Sequence, residues 1–174
     1  MKYTNGPEDR EILENICGVL AFGVPSQGMS VSSLIAIVGD QPNRALLETL
    51  KSNSPLLQRQ QRELSHMFEG MVSPPFLAFY ETRESPTACI LDGEWKLAGP
   101  PAVLVEVASA TQGCVEIFPV DRSHSDLVKL GKWDEELYQT ILRAISYYLL
   151  RNAILTRRRY HDEGRSNKAI KKYF

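Results

Sequence analysis

His124 is the residue in this chain best placed to do chemistry. It stands four residues beyond Val120, which closes the apolar run Val115-Glu116-Ile117-Phe118-Pro119-Val120. Glu81 closes another such run, Phe76-Leu77-Ala78-Phe79-Tyr80. A carboxylate at a strand end accepts a hydrogen bond from one imidazole nitrogen. The other nitrogen is then fixed as a base for a hydroxyl nucleophile. Spacing alone also admits a surface carboxylate and a loop histidine. Of the other histidines, His66 lies between Ser65 and Met67 on a helical stretch and reads as a partly buried helix residue. His161 lies among Arg and Asp near the end of the chain and reads as solvated. No histidine pair has metal-ligand spacing, and no Gly-rich phosphate loop is present. Neither a metal nor a cofactor is expected.

A histidine base needs something to activate. Gly-x-Ser-x-Gly on a strand-to-helix turn is the arrangement that exposes a serine for attack. Gly23-Val24-Pro25-Ser26-Gln27-Gly28 has one residue too many before its serine, and Gly28-Met29-Ser30-Val31-Ser32 lacks the closing glycine. The expectation is an acid and a histidine whose nucleophile is absent from this chain.

Three elements must position these groups. Cys17 to Phe22 is an unbroken apolar run ended by Gly/Pro turn residues, and it reads as a fully buried strand of a parallel sheet. Phe76 to Tyr80 and Val115 to Val120 are the other two. Helices are predicted from Pro7 to Ile16, from a Ser30 cap to Gly39, from Pro42 through Leu50, and from Pro55 onward with Ser54 as cap. Leu56, Leu57, Leu64, Met67 and Phe68 are expected on the inner face of the last. Asp92-Gly93 suits a type I′ turn, so Ala88–Leu91 and Glu94–Leu97 read as a hairpin. Ala102 to Val107 reads as extended. A short helix carries Leu127, Val128 and Leu130. A longer one from about Asp134 carries Leu137, Ile141, Ile145, Tyr148 and Leu149. Strand, helices, strand, excursion, strand, helix is an α/β order with parallel pairing. Polar residues follow all three strands, where open α/β sheets place their ligands.

The 174 residues suffice for one domain with a core; 43% are apolar and 24% charged. A net charge of −1 points to no nucleic-acid partner. Charge is uneven: residues 151–174 hold eight Lys/Arg against two Asp/Glu. That end reads as a basic flexible tail after a domain spanning 1–150. The tail is read as solvated in preference to touching an anionic membrane. Cys17, Cys89 and Cys114 form neither a metal motif nor a disulfide framework, so a reducing, intracellular and cytoplasmic setting is expected. Cys17 reads as a small apolar packing residue.

Several segments resemble one family. Gly18-Val19-Leu20-Ala21-Phe22-Gly23-Val24-Pro25-Ser26-Gln27-Gly28 resembles the Gly-Ile/Val-Leu/Ile-Phe-Phe-Gly-Thr/Val-Pro-His-Arg/Gln-Gly segment of serine esterases related to the serine-active-site-containing protein, within the α/β-hydrolase superfamily. Phe76 to Thr82 resembles that family's Ser-Phe-Tyr-Glu-Thr strand. Asp121 to Leu130 resembles its His-Ser-x-x-Val-Lys-Phe motif. The match runs from about Glu8 to Leu142. Such domains abound in filamentous fungi and often head proteins with NACHT or ankyrin repeats.

The resemblance implies an α/β class with a partial α/β-hydrolase fold: about three core parallel strands, flanking helices and a small hairpin. His124 matches the catalytic histidine and Glu81 the triad acid, the acid preceding the histidine as in α/β-hydrolases. Gly23, Pro25 and Gly28 match the turn near the active site, with Ser26 where the family usually has histidine. The family's serine elbow lies upstream of this turn, so the chain reads as a carboxyl-terminal part that is inactive alone, or as a gene product whose start lies further upstream. An ester or lipid ligand is implied, as is another chain completing the sheet at Cys17–Phe22. The alternative is a non-catalytic recognition or signalling module of a fungal NACHT-type receptor. Mitochondrial or endoplasmic-reticulum association is also implied by the resemblance.

Overall fold

A computed structural model describes residues 6–69, 73–132 and 135–154. Its strands are β1 (Val19–Phe22), β2 (Phe76–Glu81), β3 (Ser85–Leu91), β4 (Glu94–Ala102) and β5 (Glu116–Val120). Its helices are α1 (Pro7–Glu14), α2 (Ser32–Val38), α3 (Arg44–Thr49), α4 (Pro55–Met67), α5 (Val107–Ala110) and α6 (Glu136–Ala144). The three apolar runs pair in parallel in the order β1-β2-β5, and β3 with β4 forms a separate antiparallel hairpin. This is the α/β class expected; helices α2 to α4 cross from β1 to β2, whereas β2 connects to β5 through the hairpin and the short α5.

Register places Phe22 beside Phe79 and Phe79 beside Phe118. Their rings stack across the sheet with centroids 4.6 and 4.8 Å apart. Leu77, Phe79 and Val120 on that face are buried against Leu127, Leu137, Ile141 and Ala144. A second core of Met29, Val31, Val105 and Ala110 includes Tyr80 at its margin. Strand alternation explains the split: residues two apart share a face. β5 is covered on one face only, so Val115 and Ile117 are exposed.

The last helix grips the start of β1. Gly18 lets Leu149 approach so closely that a Cβ there would lie 2.8 Å from its side chain. Asn152 Nδ2 donates to the Cys17 carbonyl at 2.9 Å. Leading up to these contacts the helix widens into a π-turn over Ile145–Leu149 before continuing to Ile154.

The structure corrects several expectations. The first strand begins at Val19, and Val19–Phe22 are half-buried rather than fully buried, as is Cys17. Ser30 caps nothing; its N–H donates to the Leu104 carbonyl and α2 starts two residues later. α1 stops at Glu14, and α3 starts at Arg44. Pro55 does open α4, but buried Ser54 makes no side-chain cap bond. On α4 only Phe68, just past its end, is buried; Leu56, Leu64 and Met67 are exposed. His66 is an exposed residue beside Glu69 rather than a partly buried one. The hairpin is longer than expected, although Asp92 and Gly93 both take the positive φ that a type I′ turn requires. Ala102–Val107 is not one extended run: Ala102 ends β4 and Val107 begins α5. No helix forms over Leu127–Leu130; a single 3₁₀ turn, His124–Asp126, stands before it. Residues 151–154 continue the last helix, so the boundary set at 151 falls inside an element. His161, residues 155–174 and a helix start at Asp134 lie outside the described residues. No helix among the described residues is long and apolar enough to cross a membrane.

Candidate active site

β2 ends by carrying a carboxylate inward. Glu81 is 2% exposed, at the end of the strand whose Leu77 and Phe79 are fully buried. A carboxylate so placed must be fully hydrogen-bonded to stay charged. Its Oε1 accepts from the backbone N–H of Leu104 at 2.9 Å and of Val105 at 3.0 Å. Its Oε2 meets His124 Nδ1 at 2.6 Å. The pair the sequence suggested is thus in contact, from the ends of adjacent parallel strands.

The electrostatics follow from these contacts. Burial works against the charged carboxylate, yet the hydrogen bond from His124, then the Val105 N–H, the attraction of His124 and the Leu104 N–H hold Glu81 below its ordinary 4.5. For His124 the hydrogen bond to Glu81 dominates. With the charge attraction, and against burial, it lifts the imidazole above its ordinary 6.5. Because Nδ1 is committed to Glu81, Nε2 is the nitrogen left to act. Among the described residues Nε2 makes no hydrogen bond. The His124 side chain is 31% exposed, so this nitrogen has a way out.

The Gly/Pro turn after β1 forms one wall. Gly23 has φ +55°, and a Cβ there would lie 2.7 Å from Leu127 and 3.0 Å from the His124 ring. Gly28 has φ +101° and passes so close to Lys51 that a Cβ would lie 2.3 Å from its carbonyl oxygen. Ser26 and Pro25 are half-buried between them. The Ser26 N–H donates to Val24 and the Gly28 N–H to Pro25. Ser109, buried in α5, accepts from the Gln27 N–H at 3.0 Å and donates to the Gly28 carbonyl at 2.7 Å. With these N–H groups occupied, the turn borders the imidazole as a rigid surface and does not offer them to a developing oxyanion.

Sequence reasoning named Glu81 and His124 but missed what holds them. The Leu104 and Val105 donors are backbone groups in a segment that reads as strand, and side-chain identity does not reveal them. Ser109 lies in a four-residue helix with no pattern of its own. A cleft of about 820 Å³ lined by Phe118, Leu142, Tyr147 and Tyr148, and one of about 470 Å³ lined by Pro75, Val115 and Arg151, both lie away from the pair.

No family model, no curated protein and no solved structure matches this chain.

Proposed function

We propose that this chain supplies the acid and histidine of a serine-hydrolase site that cleaves carboxylic esters, and that the attacking hydroxyl comes from a segment paired to the open edge of β1. The observation that carries this reading is the 2.6 Å contact from His124 Nδ1 to a doubly anchored Glu81, with Nε2 unengaged among the described residues. In that arrangement Nε2 accepts the hydroxyl proton as a general base, and the imidazolium that forms is stabilised by the Glu81 carboxylate. Gly23, just past the carboxyl end of β1, borders the ring. A strand added in parallel beside β1 therefore brings its own carboxyl-end turn towards Nε2. The resemblance of the three segments described above supports assignment to the carboxyl part of an α/β-hydrolase domain, with ester or lipid substrates.

The test is labelling and turnover. The full chain alone is expected to resist a fluorophosphonate probe and to cleave p-nitrophenyl esters no faster than buffer. Co-expression with a segment bearing a Gly-x-Ser-x-Gly elbow restores turnover, and His124→Ala then removes about 10³-fold or more of it. Labelling at Ser26 or Ser30, or a restored turnover indifferent to His124, would overturn the reading.

A second reading, a non-catalytic recognition module, is supported by the hairpin. Ile90, Trp95 and Leu97 share one of its faces and are 60%, 44% and 59% exposed. Under that reading Glu81→Gln and His124→Gln leave partner binding intact, while Trp95→Ser weakens it.

A further inference from the structure

We infer that Arg122 is the positioning residue that holds His124 against Glu81. The inference rests on the reading of Glu81 and His124 as a working pair. His124 opens a single 3₁₀ turn in the β5–α6 connection, and its 2.6 Å contact depends on how the backbone on either side is held. On the near side, the Arg122 N–H donates to the Val120 carbonyl at 2.7 Å, and the Arg122 carbonyl accepts from the Arg83 N–H at 3.1 Å. These bonds tie the loop to the ends of β5 and β2. On the far side, the same residue reaches past His124 with its side chain. Arg122 Nη1 donates to the Asp126 carbonyl at 3.1 Å and to the Lys129 carbonyl. Its Nη2 pairs with the Glu135 carboxylate, which also accepts from the Gly131 N–H at 2.7 Å.

His124 is thus strung between the backbone of Arg122 and the carbonyls that the Arg122 side chain grips. Both members of the Arg122–Glu135 pair are mostly buried, 21% and 25% exposed, where a charge-assisted contact is less screened than at the surface. A planar guanidinium can address two carbonyls and a carboxylate together. A lysine ammonium presents a single point charge and cannot reproduce that fork. The other side-chain ties in the loop, Ser123 to Ser125 and Asp126 and Lys129 to Asp126, connect exposed or half-exposed groups within the same few residues, and like the backbone turn bonds there they do not reach α6. Among the described residues the charged group in contact with the imidazole is Glu81 from β2, and the β1 turn borders it with uncharged Gly23.

The experiment is NMR on the full chain, following the His124 ring titration and its Nδ1 proton, with Glu81→Gln to assign the signal. In the wild type a downfield Nδ1 proton is expected, with His124 titrating above 6.5. Arg122→Met is expected to lose that proton and return the titration to the ordinary value. Arg122→Lys, the milder change should Arg122→Met not fold, is expected to titrate between the two. Arg83→Met is the control: it removes the other arginine side chain at these strand ends, whose exposed pairing with Asp121 lies on the β5 side of His124 and does not reach past it, keeps the backbone N–H that binds Arg122, and leaves His124 unchanged. A folded Arg122→Met or Arg122→Lys with wild-type titration and an intact Nδ1 proton overturns the role of Arg122 alone. A wild type that lacks the proton and titrates at 6.5 overturns the pair, and the clamp with it.

Discussion

Glu81 is the only charged residue among the described ones that is buried, and the stability of the fold should reveal it. Its folded pKa is lowered, so its contribution is present above the ordinary 4.5 and is lost as pH falls through the lower folded value. His124 has a raised folded pKa, so its contribution is complete below the ordinary 6.5 and is lost as pH rises through the higher folded value. Both are complete together between those two ordinary values. Glu81→Gln keeps the shape but removes the charge, and it leaves His124 without its anionic acceptor. The variant is expected to be less stable than wild type by about 2 kcal/mol near pH 5.5, with the gap narrowing towards acid and alkali. Urea unfolding at a series of pH values measures this; a gap independent of pH would mean that the pair does not couple to folding. Both members of the pair were legible in the sequence because each follows an apolar run whose end is unambiguous. The two backbone donors to Glu81 were not, since any residue type can supply an N–H.

The strands were readable for the same reason: their apolar runs are short, bounded and rich in aromatic and β-branched residues. What the runs did not disclose is which face of each strand finds cover. In β5, Phe118 stacks on Phe79 while its neighbour Ile117 points the other way and is 49% exposed. Phe118→Ala is therefore expected to cost about 2–3 kcal/mol, and Ile117→Thr less than about 0.5 kcal/mol. Equilibrium unfolding of the two variants checks the difference; equal costs would place a cover over Ile117. Helices were less readable. The apolar positions of α4 have helical spacing, but Leu56, Leu64 and Met67 meet no core. The helix expected after His124 stops at one turn: the Asp126 carbonyl is shared between the Lys129 N–H and the Arg122 guanidinium, and the Lys129 carbonyl accepts from Arg122. The π-turn at Ile145–Leu149 is likewise invisible to a 3.6-residue period, because it inserts one residue into that period.

At the scale of the whole molecule the open edge of β1 decides behaviour. The N–H groups of Val19 and Gly23 donate to the carbonyls of Pro75, just before β2, and of Phe79 within it. Alternation then turns those of Leu20 and Phe22 away from the sheet, where no described strand receives them. Natural edges are usually blunted by a lysine, a proline or a bulge, and Val19–Phe22 contains no lysine or proline. Such an edge pairs with whatever strand is available. If a nucleophile-bearing segment is its proper occupant, the chain by itself should fill the edge with a second copy. Two identical edges related by a two-fold axis can pair only antiparallel. Dilute chain is therefore expected to exchange the Leu20 and Phe22 amides rapidly while protecting Val19 and Gly23. Chain at tens of micromolar, by the logic of mass action, is expected to sediment as a dimer in which Leu20 and Phe22 become protected. Adding an elbow-bearing segment should dissolve that dimer while keeping both amides protected, because the two occupants compete for one ladder. A dimer whose Leu20 and Phe22 amides still exchange freely would move the interface to another exposed face, of which the hairpin carrying Ile90, Trp95 and Leu97 is the most apolar on β3 and β4.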